Sequence, residues 1–363
     1  MQLAGTETLL MNLYRNVDRK QVQFDFAVNV TEESAYDAEI RSMGGRIIHY
    51  PRYRGVNHIA YVRWWHRFFD EHPEYHIVHG HIGSSAAIYL HIAKQHRCYA
   101  IAHSHNVHEK QTLHNLLEKR TMHDVLYKIW SFPTRYIADF FFGCSRQALL
   151  DRYGSRVAAR DNSAVLNNSI DVARFAYNGQ YRDEIRREYA LSPQDFVIGT
   201  VGRLTLQKNP TMILQIMSEL KTRGCDCKFM WVGQGDLEQS IKAEIRRLGL
   251  DDRVLLVGAR QDVYKIYSAI DTFIFPSRYE GLGIVCIEAQ AAGLPALCST
   301  AIPEEANITD LFHYLPLDNA GAWADEILRQ RETPRTDYGA AVVAAGYDIL
   351  AEAQKLQNFY LQI

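Results

Sequence analysis

At 363 residues, with 47% hydrophobic and 23% charged side chains, the chain has the length of about two domains and an ordinary globular composition, which excludes a single small module and a disordered segment. No apolar run approaches the ~20 residues of a transmembrane helix. Net charge is −2, but Lys and Arg against Asp and Glu stand at 21 to 17 over residues 1–176 and at 19 to 25 over 177–363, so the halves carry +4 and −6.

In chain order, short β-branched runs alternate with longer amphipathic stretches, the pattern of parallel α/β units. In the first half, strands are predicted at 23–28, 46–49, 76–79, 98–102, 140–144 and 164–166, with helices at 6–16, 35–43, 58–71 and 84–95 between them. A polar stretch without periodicity, 167–179, reads as a hinge. Beyond it the theme repeats: strand 196–201, helix 210–223, strand 228–232, helix 237–248, strand 254–257, helix 263–268, strand 272–275, helix 284–292 and strand 295–298. The fold class is therefore α/β, with two Rossmann-like doubly wound domains in tandem, 1–172 and 173–346.

The N-terminus has no basic region followed by an apolar one, so the cytoplasm is the expected compartment. Six scattered cysteines read as reduced thiols. The positive first half tolerates anions, yet it lacks the concentrated basic stripe of a nucleic-acid-binding domain, and no nucleic acid is expected as partner.

Ligands of open α/β sheets sit beyond the carboxyl ends of the strands. Two such ends carry the chemistry. After strand 196–201 come Gly202, Arg203 and, five residues on, Lys208, just before Pro210 opens a helix. Arg supplies bidentate hydrogen bonds to phosphate oxygens and Lys a compact charge, which together suit a diphosphate leaving group. After strand 272–275 comes a glycine-rich turn, Glu280, Gly281, Leu282, Gly283, leading into an apolar helix through Ile284 and Val285 to Glu288. The glycines allow close backbone approach, and the amides opening the helix favour an anion. A carboxylate such as Glu288 in so apolar a helix is costly without a partner, and a ribose diol provides one.

These segments, with Trp231-Val232-Gly233-Gln234-Gly235, Val257-Gly258-Ala259-Arg260 and the Glu280-x7-Glu288 spacing, resemble the retaining nucleotide-sugar glycosyltransferases of the GT-B fold. The likeness is to the family 4 type, glycosyl transferases group 1, and most of all to its members in bacterial capsule and exopolysaccharide assembly. In the first half, Gly5-Thr6-Glu7 resembles the donor-facing Gly-rich turn of that family, His105-Asn106 its strand-end histidine, and 165–171 its inter-domain segment. The resemblance implies that Arg203 and Lys208 neutralise the departing nucleoside diphosphate with help from the amides of Gly281 to Val285. It implies that Glu280 lies against the donor sugar, that Glu288 holds the ribose, and that His105 and Gly5 face the sugar from the acceptor-side domain. It further implies a UDP-sugar as donor, no metal or other cofactor, a glycan or polyprenyl-diphosphate-linked acceptor, and a last helix (347–363) packed back on the first domain. Relatives begin with a strand before the Gly-rich turn, whereas Gly5 comes four residues after Met1, so the first sheet is expected to lack its first strand.

Two other readings compete. His103, His105 and His108, with His76, His79 and His81 at another strand end, allow a zinc metallohydrolase. A protein that binds nucleotide sugar without turnover would share the donor residues. Segment 58–69 puts Arg63 and Arg67 on one helical stripe among aromatics, and Lys110, Lys119, Arg120, Lys128 and Arg135 follow. These are expected to bring the first domain to the inner face of the cell membrane as a peripheral contact.

Overall fold

A computed structural model describes residues 5–81, 83, 85–105 and 133–363. His108 and the cations Lys110, Lys119, Arg120 and Lys128 lie outside the described residues. The chain divides into two compact units: one takes the chain up to Asn168 together with Ile349–Ile363, and the other is Ser169–Asp348.

The first unit contains strands β1 (Phe26–Val28), β2 (Ile47–His49), β3 (Ile77–Gly80), β4 (Tyr99–Ser104), β5 (Phe140–Gly143) and β6 (Ser163–Val165). They form two parallel sheets, β1-β2 and β3-β4-β5-β6. Among the described residues no backbone ladder joins β1 to β3. Side chains tie the two edges instead. Asp25 accepts from Tyr75 Oη at 2.6 Å and from Arg46 Nε at 2.7 Å, and Arg46 also reaches Glu74. The first described element is the helix Gly5–Asn16, which buries Leu9, Met11, Leu13 and Tyr14 with Ile349, Ala353 and Leu356 of the last helix, Ile349–Gln362. The helix His58–Glu71 buries Tyr61, Trp65, Phe68 and Phe69 at helical spacing and leaves Arg63 and Arg67 exposed, an amphipathic face turned to the core.

The second unit is one six-stranded parallel sheet built from β7 (Phe196–Val201), β8 (Cys227–Val232), β9 (Val254–Gly258), β10 (Thr272–Phe275), β11 (Ala296–Ser299) and β12 (Phe312–Leu315). Its order is β12-β11-β10-β7-β8-β9. The central strands are apolar throughout because helices cover both faces. The chain runs outward in opposite directions from β7 and β10, so the topological switch point lies between these two strands. In open α/β sheets ligands bind beyond the carboxyl ends of the strands at such a point.

All six cysteines are buried free thiols. No helix among the described residues is long and apolar enough to cross a membrane.

Candidate functional site

The loops that follow β7 and β10 meet at this switch point. Lys208 Nζ lies 2.5 Å from Glu280 Oε1, and both side chains are largely buried, at 17% and 11% exposure. The Lys208 ammonium also sits 4.5 Å from the centre of the Phe275 ring, so it is held between a carboxylate and an aromatic face. Glu280 Oε1 accepts further bonds from Ser277 Oγ at 2.5 Å and Gln207 Nε2 at 3.2 Å. The two loops are stitched by their backbones: Arg278 N donates to Gln207 O at 2.8 Å, and Ser277 Oγ to the same oxygen at 3.0 Å.

The local sequence explains this geometry. Asn209 adopts a left-handed conformation at φ 54°, and Pro210 then starts the helix Pro210–Thr222 with φ preset, which turns Lys208 back over the strand end. Gly202 sits under the Gly233 turn: the Trp231 indole donates to Gly202 O at 2.9 Å, and a Cβ at Gly233 would fall 2.1 Å from that oxygen. Arg203 is exposed, and its side chain has no hydrogen-bond or ion-pair partner among the described residues. The structure thus gathers Lys208 with Glu280 and leaves Arg203 extended from the same loop.

Gly283 has φ 80° and caps the helix Ile284–Ala291, a conformation that glycine adopts without strain. The amides that open this helix, Ile284 and Val285, have no intrahelical partner. Glu288, one turn on, is half-buried and accepts a 2.7 Å bond from the Tyr267 hydroxyl. Burial pushes its carboxyl up to about 7, and the Tyr267 bond only partly offsets that. Tyr267 is itself fully buried on the helix Val263–Ala269, and burial with the adjacent carboxylate holds its phenol well above its ordinary range.

Three members of this cluster are absent from the sequence-based set: Ser277, Gln207 and Tyr267. Ser277 and Gln207 stand beside residues that were singled out, and their readable signal is a polar side chain at a strand end. Tyr267 comes from a different helix, and nothing in its spacing marks it.

The other sequence-selected residues lie in the first unit. Gly5 opens the first helix. His105 follows β4 and packs with His103 and His81, which in turn contact His79, while His76 is exposed and His108 is not described. Among the described residues the histidines gathered around one point are His79, His81 and His103. His79, His81 and His103 each bring one ring nitrogen within 4.8 Å of the other two. Burial lowers all four rings, His79 to about 3 and His105 to about 4, so they are neutral near pH 7.

Residues 181–327 match the family described as glycosyl transferases group 1. Over 369 aligned positions the chain is 31% identical to the putative glycosyltransferase EpsF of Bacillus subtilis (strain 168), with 99% of this chain and 94% of that protein covered. The chain belongs to the glycosyl transferases group 1 family. It is an enzyme of the transferase class. It is also 25% identical, over 55% of its length and 54% of the other's, to the UDP-Gal:alpha-D-GlcNAc-diphosphoundecaprenol alpha-1,3-galactosyltransferase of Escherichia coli. Among solved structures, Anabaena HepE in complex with UDP-glucose shares the fold at a TM-score of 0.78 and 16% identity, covering 99% of this chain and 96% of that one. WaaG, a glycosyltransferase involved in lipopolysaccharide biosynthesis, shares it at 0.69 and 18%, covering 98% and 96%. The fold class is GT-B.

Proposed function

We propose that this glycosyltransferase moves a hexose or N-acetylhexosamine from a UDP-sugar to a glycan or polyprenyl-diphosphate-linked acceptor in exopolysaccharide or capsule assembly, with retention of anomeric configuration. The observation that carries the donor assignment is the Lys208–Glu280 pair joining the two loops at the switch point of the second sheet, with Glu288 on the helix that the second loop opens. Support for the donor and acceptor classes comes from the E. coli relative, whose name gives UDP-galactose and a diphosphoundecaprenol-linked sugar.

Arg203 and Lys208, with the amides from Gly281 to Val285, take the diphosphate. A preorganised cation and helix amides stabilise charge on the departing phosphate without the reorganisation that water would need, so no metal is required. Lys208 is already desolvated, and an arriving phosphate oxygen shares it with Glu280. Glu280, fixed by Ser277 and Gln207, is left with acceptor capacity for sugar hydroxyls. Glu288 accepts from the ribose diol, and Tyr267 fixes its second oxygen. Gly5 and His105, from the first unit, are assigned to the sugar side of the reaction. Retention follows from attack on the face the leaving group departs, with the leaving phosphate oxygen taking the acceptor's hydroxyl proton. The acceptor brings the enzyme to the cytoplasmic face of the membrane, where Arg63 and Arg67 offer a cationic contact.

Calorimetric titration with UDP in EDTA, with GDP as comparison, tests the donor site. Saturable UDP binding that is lost in Lys208→Ala and Glu288→Ala supports the assignment. A folded protein that binds neither nucleotide overturns it, and UDP-sugars that bind without turnover leave only the non-catalytic reading.

A further inference from the structure

Of the histidines at the ends of β3 and β4 only His105 enters the proposed reaction, and their arrangement is unusual for a core. In the parallel register His79 lies opposite Ile101 and Gly80 opposite Ala102, which sets His81 against His103. Side chains two apart along a strand share a face. Four imidazoles, His79, His81, His103 and His105, therefore form a two-by-two array on one side of the sheet. Their ring centres lie 4.1 Å apart for His103 and His105, 4.4 Å for His79 and His81, and 5.0 Å for His81 and His105. Phe142 of β5 packs against His79 and His103.

Hydrogen bonds within the array do not satisfy it. His79 Nε2 faces His103 Nδ1 at 3.2 Å, and His81 Nδ1 faces His105 Nε2 at 2.8 Å. Each neutral ring has one N–H and one lone pair, so each pair consumes one of either kind. That leaves His103 Nε2 and His105 Nδ1 buried with no hydrogen-bond partner among the described residues. His103 is only 4% exposed. A buried polar nitrogen with nothing to bond is costly whichever tautomer it holds. At the other end of the chain, His79 Nδ1 meets the Tyr360 hydroxyl at 2.5 Å. That contact fixes the ring and turns Nε2 inward, the outer-sphere partner that metal-bound imidazoles regularly have.

We propose that His79, His81 and His103 form a binding site for a divalent transition metal of borderline softness, Zn²⁺ being the type case, with water completing a tetrahedral set. Three ring nitrogens within 4.8 Å of one another need only small shifts to reach one ion. Zn–N bonds of about 2.0–2.1 Å imply nitrogen separations of roughly 3.3 Å in a tetrahedron. The His79–His103 gap is 3.2 Å. An all-imidazole donor set selects Zn²⁺, Ni²⁺ or Cu²⁺ over Mg²⁺ and Ca²⁺, which take oxygen ligands. The site would staple the ends of two parallel strands in the first unit. It is separate from nucleotide binding, which the second unit performs without metal.

The test uses the full chain without a polyhistidine tag, stripped with EDTA, dialysed, and titrated with ZnCl2 by calorimetry and with CoCl2 by visible absorption. The expected result is one equivalent of Zn²⁺ bound at micromolar concentration or tighter, with the intense visible bands of tetrahedral Co²⁺. His81→Gln and His103→Gln should each weaken binding at least tenfold with circular dichroism unchanged. The double variant His66→Gln/His96→Gln, at a separate histidine pair, should bind as the parent does. Absence of uptake by the parent, a pale octahedral Co²⁺ spectrum, or full affinity in His81→Gln would each overturn the proposal. The Co²⁺ spectrum of the parent decides even where a variant fails to fold. Failure here leaves UDP binding in EDTA untouched.

Discussion

Glu288 combines a cost in stability with the proposed role in binding. Its carboxyl titrates near 7 in the folded chain against about 4.5 for an ordinary glutamate. Between those values a rising pH strips the proton from the unfolded chain before the folded one, so the unfolded state binds fewer protons and stability falls across this window. Above about pH 7 the folded protein carries a partly buried carboxylate held by the Tyr267 hydroxyl. Glu288→Gln is therefore expected to be more stable than the parent at pH 8, by on the order of 1–3 kcal/mol after allowing for its partial exposure, and no more stable at pH 4.5. The same variant should bind UDP about tenfold more weakly, because a charged acceptor for the ribose diol is lost. Thermal melts at the two pH values and calorimetry check both halves, and equal melting points at pH 8 would remove the burial explanation. Lys208 behaves oppositely. Lys208→Ala leaves Glu280 desolvated with only Ser277 and Gln207 as donors, so it should lose about 1–3 kcal/mol of stability as well as UDP affinity. A urea titration that finds no destabilisation would mean the pair is better hydrated than its geometry indicates.

Elements set these residues in place through close backbone contact. Gly233→Ala would drive a methyl group into Gly202 O, with no flexible side chain to yield. The loop carrying Arg203 and Lys208 should shift, and UDP affinity should fall at least tenfold while helix content by circular dichroism stays as in the parent; unchanged affinity would show that the loop's position does not matter for binding. This loop, and the β10 loop facing it, were readable because strands β7 and β10 are mostly apolar, almost wholly buried runs followed by polar residues. The sequence-based limits 196–201 and 272–275 coincide with Phe196–Val201 and Thr272–Phe275. Strand β12 was missed: Phe312–Leu315 is mostly half-buried at the sheet edge and holds a histidine, so it has neither a continuous run nor a clean alternation. The helix Gly179–Glu188 was missed too, because charges cover most of it and only Ile185 and Arg186 are buried, the latter paired with Asp271 across the unit. The Tyr267–Glu288 bond was illegible for another reason, and of the histidine array only its members at two strand ends could be read. Which strands and helices become neighbours decides both contacts, and spacing along one segment does not encode that.

At the scale of the whole molecule, each unit has cores of its own. Ile349, Ala353 and Leu356 of the last helix pack with Met11 and Leu13 in the first unit, while Met230, Phe273 and Ile287 centre one core of the second. Leu356→Ala should therefore cost about 2–5 kcal/mol in the first unit, yet leave UDP affinity unchanged so long as the second unit stays folded. Ligand linkage reports on the other unit. UDP at 100 times its dissociation constant stabilises whatever binds it by about 2.7 kcal/mol. Amide hydrogen exchange with the full chain reads where that stabilisation lands. Added UDP should slow exchange in the peptides spanning Leu206–Lys208 and Ile284–Ala291 and in the strands β7 and β10 that carry those loops, both in the parent and in Leu356→Ala. Without UDP, Leu356→Ala should exchange faster across the helices Gly5–Asn16 and Ile349–Gln362, with the second unit unchanged. Protection by UDP confined to the first unit would move nucleotide recognition away from Lys208, Glu280 and Glu288. Faster exchange across both units in Leu356→Ala would show that the molecule opens as one cooperative body and that its cores do not act separately.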